Sequence, residues 1–237
     1  FTLGVAASYS QGRALQTSTS ASAENDIAQS ALYGVYRFDD GLYMSGLVGV
    51  GTSRTTTERR FMAGALDYHM QGETNGSITL ASLESGVNFD VAQGLVLTPR
   101  ISLQHSETRI DGFTEAGGGQ TALSFDEQVY ERTEARLGIS LAGDFSLISG
   151  WRIAPNIDVS AVSNLARDGD GVWARFVAVE DIPFYLPGEA RDDLWAEVTA
   201  GLALSRGETA IALRLEQSIE RQELHDDRVV ARFSQRF

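Results

Sequence analysis

The run Glu134-Ala135-Arg136-Leu137-Gly138-Ile139-Ser140-Leu141 decides the fold. Ala135, Leu137, Ile139 and Leu141 share one side, and Glu134, Arg136, Gly138 and Ser140 share the other. A period of two gives a β-strand with two unlike faces, because successive side chains point to opposite sides of a sheet. The pattern recurs outward in both directions. Leu95, Leu97, Ile101 and Leu103 oppose Thr98, Arg100, Ser102 and Gln104. Trp151, Ile153, Ile157 and Val159 oppose Arg152, Asn156, Asp158 and Ser160. Leu42, Met44, Val48 and Val50 oppose Tyr43, Ser45, Gly49 and Gly51, and Ile211, Leu213, Leu215 and Ile219 oppose Arg214, Glu216 and Ser218. The apolar faces carry no charge in these central segments, while the opposite faces carry both signs.

Ten such runs are predicted, at 1–11, 26–38, 41–54, 77–91, 94–107, 127–143, 150–164, 192–205, 208–221 and 227–237. They are longer than the roughly five or six residues of a typical soluble strand. They match the length that crosses a bilayer at a tilt, about 9–11 residues. Alternation alone also fits a soluble sandwich, so the connections decide. Phe38–Gly41, Asp90–Gly94, Gly143–Gly150 and Ser205–Glu208 are short; Gln11–Asn25, Ser53–Gly76, Ser106–Asp126 and Asn164–Asp192 are long. Short and long connections alternate, so the short turns fall at one end and the long loops at the other; the last connection, Gln222–Asp226, is short but falls on the long-loop side. That asymmetry belongs to an antiparallel, up-and-down transmembrane β-barrel. Tyr36, Phe38, Phe89, Trp151 and Phe237 lie near the short-turn end, where an aromatic girdle is expected. Pro99 and Pro155 fall a few residues after short turns, near strand starts, where a missing ladder hydrogen bond is tolerable.

The bulk properties agree. The chain has 237 residues, 43% hydrophobic and 22% charged, and no run of eighteen apolar residues that would form a spanning helix. A net charge of −13 argues against a nucleic-acid partner, which needs a basic face to displace counterions. Cysteine is absent, which removes disulfides and thiolate metal sites and suits passage through an oxidising periplasm. The chain opens directly on a strand-like run, as a piece of a longer precursor would.

Several segments, in order along the chain, resemble the β-domain of autotransporters, the translocator barrels of type V secretion. They are Leu3-Gly4-Val5-Ala6 with Tyr9-Ser10; Leu32-Tyr33-Gly34-Val35-Tyr36-Arg37-Phe38; Glu84-Ser85-Gly86 with Phe89; and Leu97-Thr98-Pro99. The most specific is Gly112-Phe113-Thr114-Glu115-Ala116-Gly117, followed by Leu123-Ser124-Phe125 and Arg136-Leu137-Gly138. Ile153-Ala154-Pro155 and the terminal Phe237 complete the match. The resemblance implies a single outer-membrane barrel domain over 1–237 that exports or displays an N-terminal passenger. It also implies twelve strands in the complete domain, with a first hairpin and a lumen-threading segment upstream of Phe1. The implied partners are outer-membrane lipid and lipopolysaccharide, the passenger and its linker, and the barrel-assembly machinery. No cofactor or metal is called for, and no catalysis is expected of the barrel.

Three groups of residues are candidates for function. Arg37, Glu84, Arg100, Glu134, Arg136, Arg152, Asp158, Glu197, Arg214, Glu216 and Arg232 are expected to line the lumen, paired across strands or hydrated, because an unpaired buried charge is costly. By resemblance, Glu84, Glu134 or Asp158 would assist linker cleavage only beside a linker Asn outside this chain. Val229, Ala231, Phe233 and Phe237 form the expected assembly signal, read by strand addition, with Gln235 where an apolar residue is usual. His225 with Glu223, Asp226 and Asp227 resembles part of an omptin protease site, a ten-stranded enzyme alternative. Glu223 stands where omptins place an Asp, and the nearest outer-rim Asp pair, Asp192-Asp193, is close by rather than opposite, so an acidic turn is the better reading. An adhesin or pore is the other alternative. His69 and His105 lack partners at metal-ligand spacing, and Asp168-Gly169-Asp170-Gly171 lacks the bidentate Glu of a calcium loop.

Overall fold

A computed structural model of the chain describes residues 1–16, 21–63, 66–147, 150–168, 171–188, 192–219 and 227–235. Its strands, in chain order, are β1 Thr2–Gln16, β2 Ala21–Arg37, β3 Leu42–Ala63, β4 Leu66–Val87, β5 Phe89–Ala92, β6 Leu95–Ile110, β7 Phe113–Thr114 and β8 Leu123–Phe125. They continue as β9 Gln128–Gly143, β10 Phe145–Ser146, β11 Arg152–Asp168, β12 Gly171–Phe176, β13 Phe184–Pro187, β14 Leu194–Arg206, β15 Thr209–Ile219 and β16 Asp227–Gln235. A 3-10 turn at Gly119–Thr121 is the helical element among the described residues. The long strands form one antiparallel meander in the order β1-β2-β3-β4-β6-β9-β11-β14-β15-β16. The short β5 and β10 pair with β6 and β11 at the short turns. Among the described residues, β1 pairs with β2 and β16 with β15, and neither has a second neighbour.

The register fixes the faces. Ile101 pairs with Leu137, Val159 with both Ile139 and Val198, and Leu213 with both Leu202 and Ala231, so the apolar positions of successive strands share one side. That side is the exposed one: Leu137 is 66% exposed, Ile101 59% and Val48 58%. In water such a surface would drive aggregation. In a bilayer it is the stable side, because lipid replaces the core. Among the described residues, the fully buried large side chains are instead few, Met70 and Val162.

The four short turns each place a glycine at positive φ: Gly41 (84°), Gly94 (74°), Gly150 (75°) and Gly207 (57°). A side chain there would be strained, so glycine fixes where the sheet reverses. Tyr36 and Phe38 meet edge to face at 4.6 Å beside the first turn, and the Arg206 guanidinium lies 5.8 Å from the Trp151 ring centroid at the last. Pro99 and Pro155 sit at the fifth and fourth positions of β6 and β11.

The long connections differ from expectation. Ser53–Gly76 is not a loop: β3 and β4 stay in register from Ser53↔Gly76 to Ala63↔Leu66, each 22 residues long. Likewise β1 and β2 stay paired to Gln16↔Ala21, well inside the expected loop Gln11–Asn25. Beyond the bilayer the outward face meets water instead of lipid, so the outward apolar signal fades. The β-branched Thr55, Thr56, Thr57 and Thr74 and the cross-strand pairs Arg13–Glu24 and Arg54–Glu73 nevertheless hold the strands together. The other two long connections hold a second sheet, in the order β13-β12-β8-β7. It joins the end of β4 through paired backbone hydrogen bonds between Gln71 and Ala116.

Candidate functional site

The face opposite the lipid is the lumen wall, and its register builds a chain of polar contacts. Tyr43 on β3, Glu84 on β4, Arg100 on β6 and Asp158 on β11 all point inward. Tyr43 Oη donates to Glu84 Oε1 at 2.9 Å, and Arg100 Nε lies 3.7 Å from Glu84 Oε2. Arg100 Nη2 donates to Asp158 Oδ1 at 2.8 Å, and Ser160 Oγ donates to the same oxygen at 3.5 Å. Arg100 reaches over β9 because Gly138 stands in between: a Cβ there would lie 3.4 Å from Arg100 Nε. Gly86 does the same for Tyr43, whose ring occupies the space a Cβ would fill, 2.7 Å away. Glycines inside strands thus let long side chains lie across the wall.

A second cluster lies toward β16. Arg136 Nη2 lies 3.1 Å from Glu197 Oε2, and Trp195 Nε1 donates to Glu197 Oε1 at 3.0 Å. Arg214 Nε lies 2.7 Å from Glu216 Oε1, and Arg228 Nη1 lies 3.7 Å from Glu216 Oε2. Arg132 pairs with Glu134 and stands 5.7 Å from the centroid of the Trp195 ring. Arg152 pairs with Asp144 at 3.1 Å, at the short-turn rim rather than in either cluster. Arg37 and Arg232 occupy inward register positions opposite Tyr43 and Ala212, and have no ion-pair partner among the described residues.

The charge pattern therefore puts residues from distant parts of the chain side by side. Tyr43 and Ser160, which alternation placed on the polar face, are partners there, and Arg132, Asp144, Trp195 and Arg228 are partners that were not among the candidate lumen residues. All 19 basic residues are arginine. A guanidinium stays charged and forms a flat fork toward carboxylates, which suits a wall of cross-strand pairs.

Of the residues expected to form an assembly signal, Val229, Ala231 and Phe233 pair with Leu215, Leu213 and Ile211 on the lipid face, with Phe233 64% exposed. Phe237 lies outside the described residues, as do Glu223, His225 and Asp226 and the Gly169-Asp170 pair of the Asp168–Gly171 segment. Asp192 and Asp193 are tied to β11, accepting at their carbonyls from Asn164 Nδ2 (2.8 Å) and Asn164 N (2.9 Å). Among the described residues, no three acidic or histidine side chains gather as a metal site.

The model of the family named Autotransporter beta-domain matches residues 1–216. The chain belongs to that family. Membership makes it a β-barrel of the bacterial outer membrane. The autotransporter barrel is similar in fold to the translocator domain of NalP from Neisseria meningitidis, with a TM-score of 0.66 and 18% identity over 99% of this chain and 74% of that one. Esterase EstA of Pseudomonas aeruginosa is 32% identical over 100 residues, 40% of this chain and 15% of that protein. An uncharacterized protein of the trpE-trpG intergenic region in Pseudomonas putida is 29% identical over 125 residues, 52% of this chain and 21% of that protein. The chain thus spans about a fifth or less of the length of these relatives.

Proposed function

We propose that the ion-paired lumen wall is the working surface of this translocator: it gives an extended passenger a polar, evenly balanced path and later seats the linker. The arrangement that carries this reading is the Tyr43–Glu84–Arg100–Asp158–Ser160 chain on the face away from lipid. Paired charges neither trap a passing chain nor repel it, whereas a single uncompensated charge would do one or the other. The barrel itself performs no chemistry in this reading; any esterase or other activity belongs to the passenger. Strand β16 supplies the signal for the assembly machinery, and the outward arginines and acids above the apolar band meet lipopolysaccharide.

The test is surface display of the passenger by the full-length protein in a Gram-negative host, measured by protease shaving of intact cells. Arg100→Glu, which sets three acids together, is expected to cut display several-fold while the barrel still shows heat-modifiable migration. The triple change Glu84→Arg, Arg100→Glu, Asp158→Arg restores the pairing and is expected to recover display. Normal display by Arg100→Glu would sink the proposal.

A further inference from the structure

Above the apolar band the inner face changes character. Phe113 and Phe125 stack at 4.8 Å and face inward with Leu123, Val172 and Leu186. Ala14, Ala23, Thr55 and Ile110 look back at them from β1, β2, β3 and β6. Between these walls lies a chamber of about 590 Å³. Glu58, which accepts from Gln71 Nε2 at 3.2 Å, borders it, and so does one ion pair. Arg59 Nε donates to Glu115 Oε1 at 3.1 Å, Arg59 Nη2 to Glu115 Oε2 at 2.6 Å, and the backbone of Leu123 to Glu115 Oε2 at 2.9 Å. The pair is internally satisfied, so it offers no free charge to a ligand.

A folded core leaves few voids larger than a water molecule. A chamber of this size, walled by half-exposed aromatic and aliphatic side chains, is therefore not the core of the outer sheet. Its size and lining are those of a binding site for an apolar group. Its wall continues the lumen wall, because the inward faces of β3, β4 and β6 run from the charged level to the apolar one without a break in register.

We propose that this outer vestibule binds uncharged, apolar side chains of an extended polypeptide as it leaves the lumen. The inference rests on the translocator reading for its occupant, though the site itself is tested without export. The chamber holds a few residues at a time. It takes up apolar side chains that the charged wall below does not hold, and shields them from water at the exit.

The experiment uses the full-length protein in a planar bilayer, with a neutral peptide of alternating Val and Thr added on the loop side. Concentration-dependent reduction of the open-channel current is expected, with a half-blocking concentration raised about tenfold by Phe125→Ser with Leu186→Ser, since two apolar contacts are lost. Heat-modifiable migration verifies that the variant barrel is folded, and the single change Leu186→Ser gives an intermediate shift. No block, or equal block of wild type and variants, overturns the site. If the block behaves as expected but the wild-type passenger never reaches the cell surface, the translocator reading fails and the binding site stands.

Discussion

Strand β4 carries its apolar side chains on opposite faces at its two ends. Near the short turns Leu83 points outward and is 53% exposed; about 43 Å along the same strand, at roughly 3.3 Å per residue, Met70 points inward and is fully buried. β6 does likewise, with Leu103 outward and Ile110 inward. No register shift separates the two regimes. What changes is the surrounding solvent. In the bilayer the outer face is the dry one, and charges withdraw to a wet lumen. Beyond it water surrounds the strands, and the ordinary rule returns: Arg54, Glu73, Glu107 and Arg109 point out while Phe113, Leu123 and Phe125 point in. Burial is thus a property of residue and medium together, and a one-sided alternation is not to be expected along the whole of a strand that leaves the membrane.

The sharpest way to break this comparison sets two residues of equal exposure against each other. Leu137 and Ile182 are each 66% exposed, the first in the lipid band and the second in the outer segment between β12 and β13. Leu137→Arg is expected to destabilise the barrel by about 3 kcal/mol, the cost of a guanidinium near the bilayer midplane. Ile182→Arg is expected to stay within about 0.5 kcal/mol, as exposed substitutions in water do. Urea titration of the barrel folded into phospholipid vesicles measures both. Equal effects would mean that the apolar face is not a lipid face. The next effect concerns the other regime. Met70 is packed beneath Gly118, with Thr121 Oγ1 3.7 Å from its sulfur. Met70→Ala should cost about 2 kcal/mol, the lower end for such a truncation because a loop can settle into the gap. The loss should appear as faster amide exchange at Ala116 and Thr121, with the membrane strands unaffected.

These two positions also mark how far the sequence could be read. The lipid band was legible because one face must be uniformly apolar over about ten residues, as Leu137, Ile139 and Leu141 are, and because glycine-bearing turns break the pattern at regular places. The inward side of each charge followed from the same parity. Which charges meet did not, since Arg100 bonds Asp158 across an intervening strand, and only the combination of two registers brings them together. The outer hairpin of β3 and β4 was illegible as strand because Thr55, Thr57 and Arg59 alternate with residues just as polar. The motif from Gly112 to Gly117 stood out by resemblance, but its role did not: Gly117 takes a φ of 88°, turning the chain so that Glu115 faces Arg59.

A third, smaller effect sits in the lumen. Arg100 and Asp158 are 24% and 13% exposed, so their pairing is partly screened by water. Arg100→Gln leaves Glu84 and Asp158 facing each other with one neutral amide between them. The expected loss is about 1–2 kcal/mol, below the roughly 3–5 kcal/mol for breaking a dry buried pair. Asp158→Asn added to Arg100→Gln should recover part of it, and a double-mutant cycle in vesicles reads the coupling. A loss as large as that of Leu137→Arg would show that the lumen is dry.

The smallest effect tests the outer end of the same contrast. Arg60 and Asp67 pair near the tip of the β3–β4 hairpin, both exposed, and the hydrogen bond from Arg60 holds the Asp67 carboxyl below its ordinary range. A carboxyl with a folded pKa below its unfolded value stabilises the fold above the unfolded value and loses that contribution as pH falls through the folded one. The pair should therefore hold the hairpin tip at neutral pH and release it only in acid, at a pH below about 4. Because both groups face water, 1 M salt should weaken the pair and bring the Asp67 midpoint back toward the ordinary carboxylate value. Carbon-detected NMR titration of Asp67 in detergent micelles, at low and high salt, follows this directly. The Arg100–Asp158 coupling read by the double-mutant cycle, shielded by the lumen wall, should be less sensitive to the same salt step. If the two pairs respond alike, lumen and outer hairpin share one dielectric environment, and the difference between the two ends of β4 must come from something other than the medium around them.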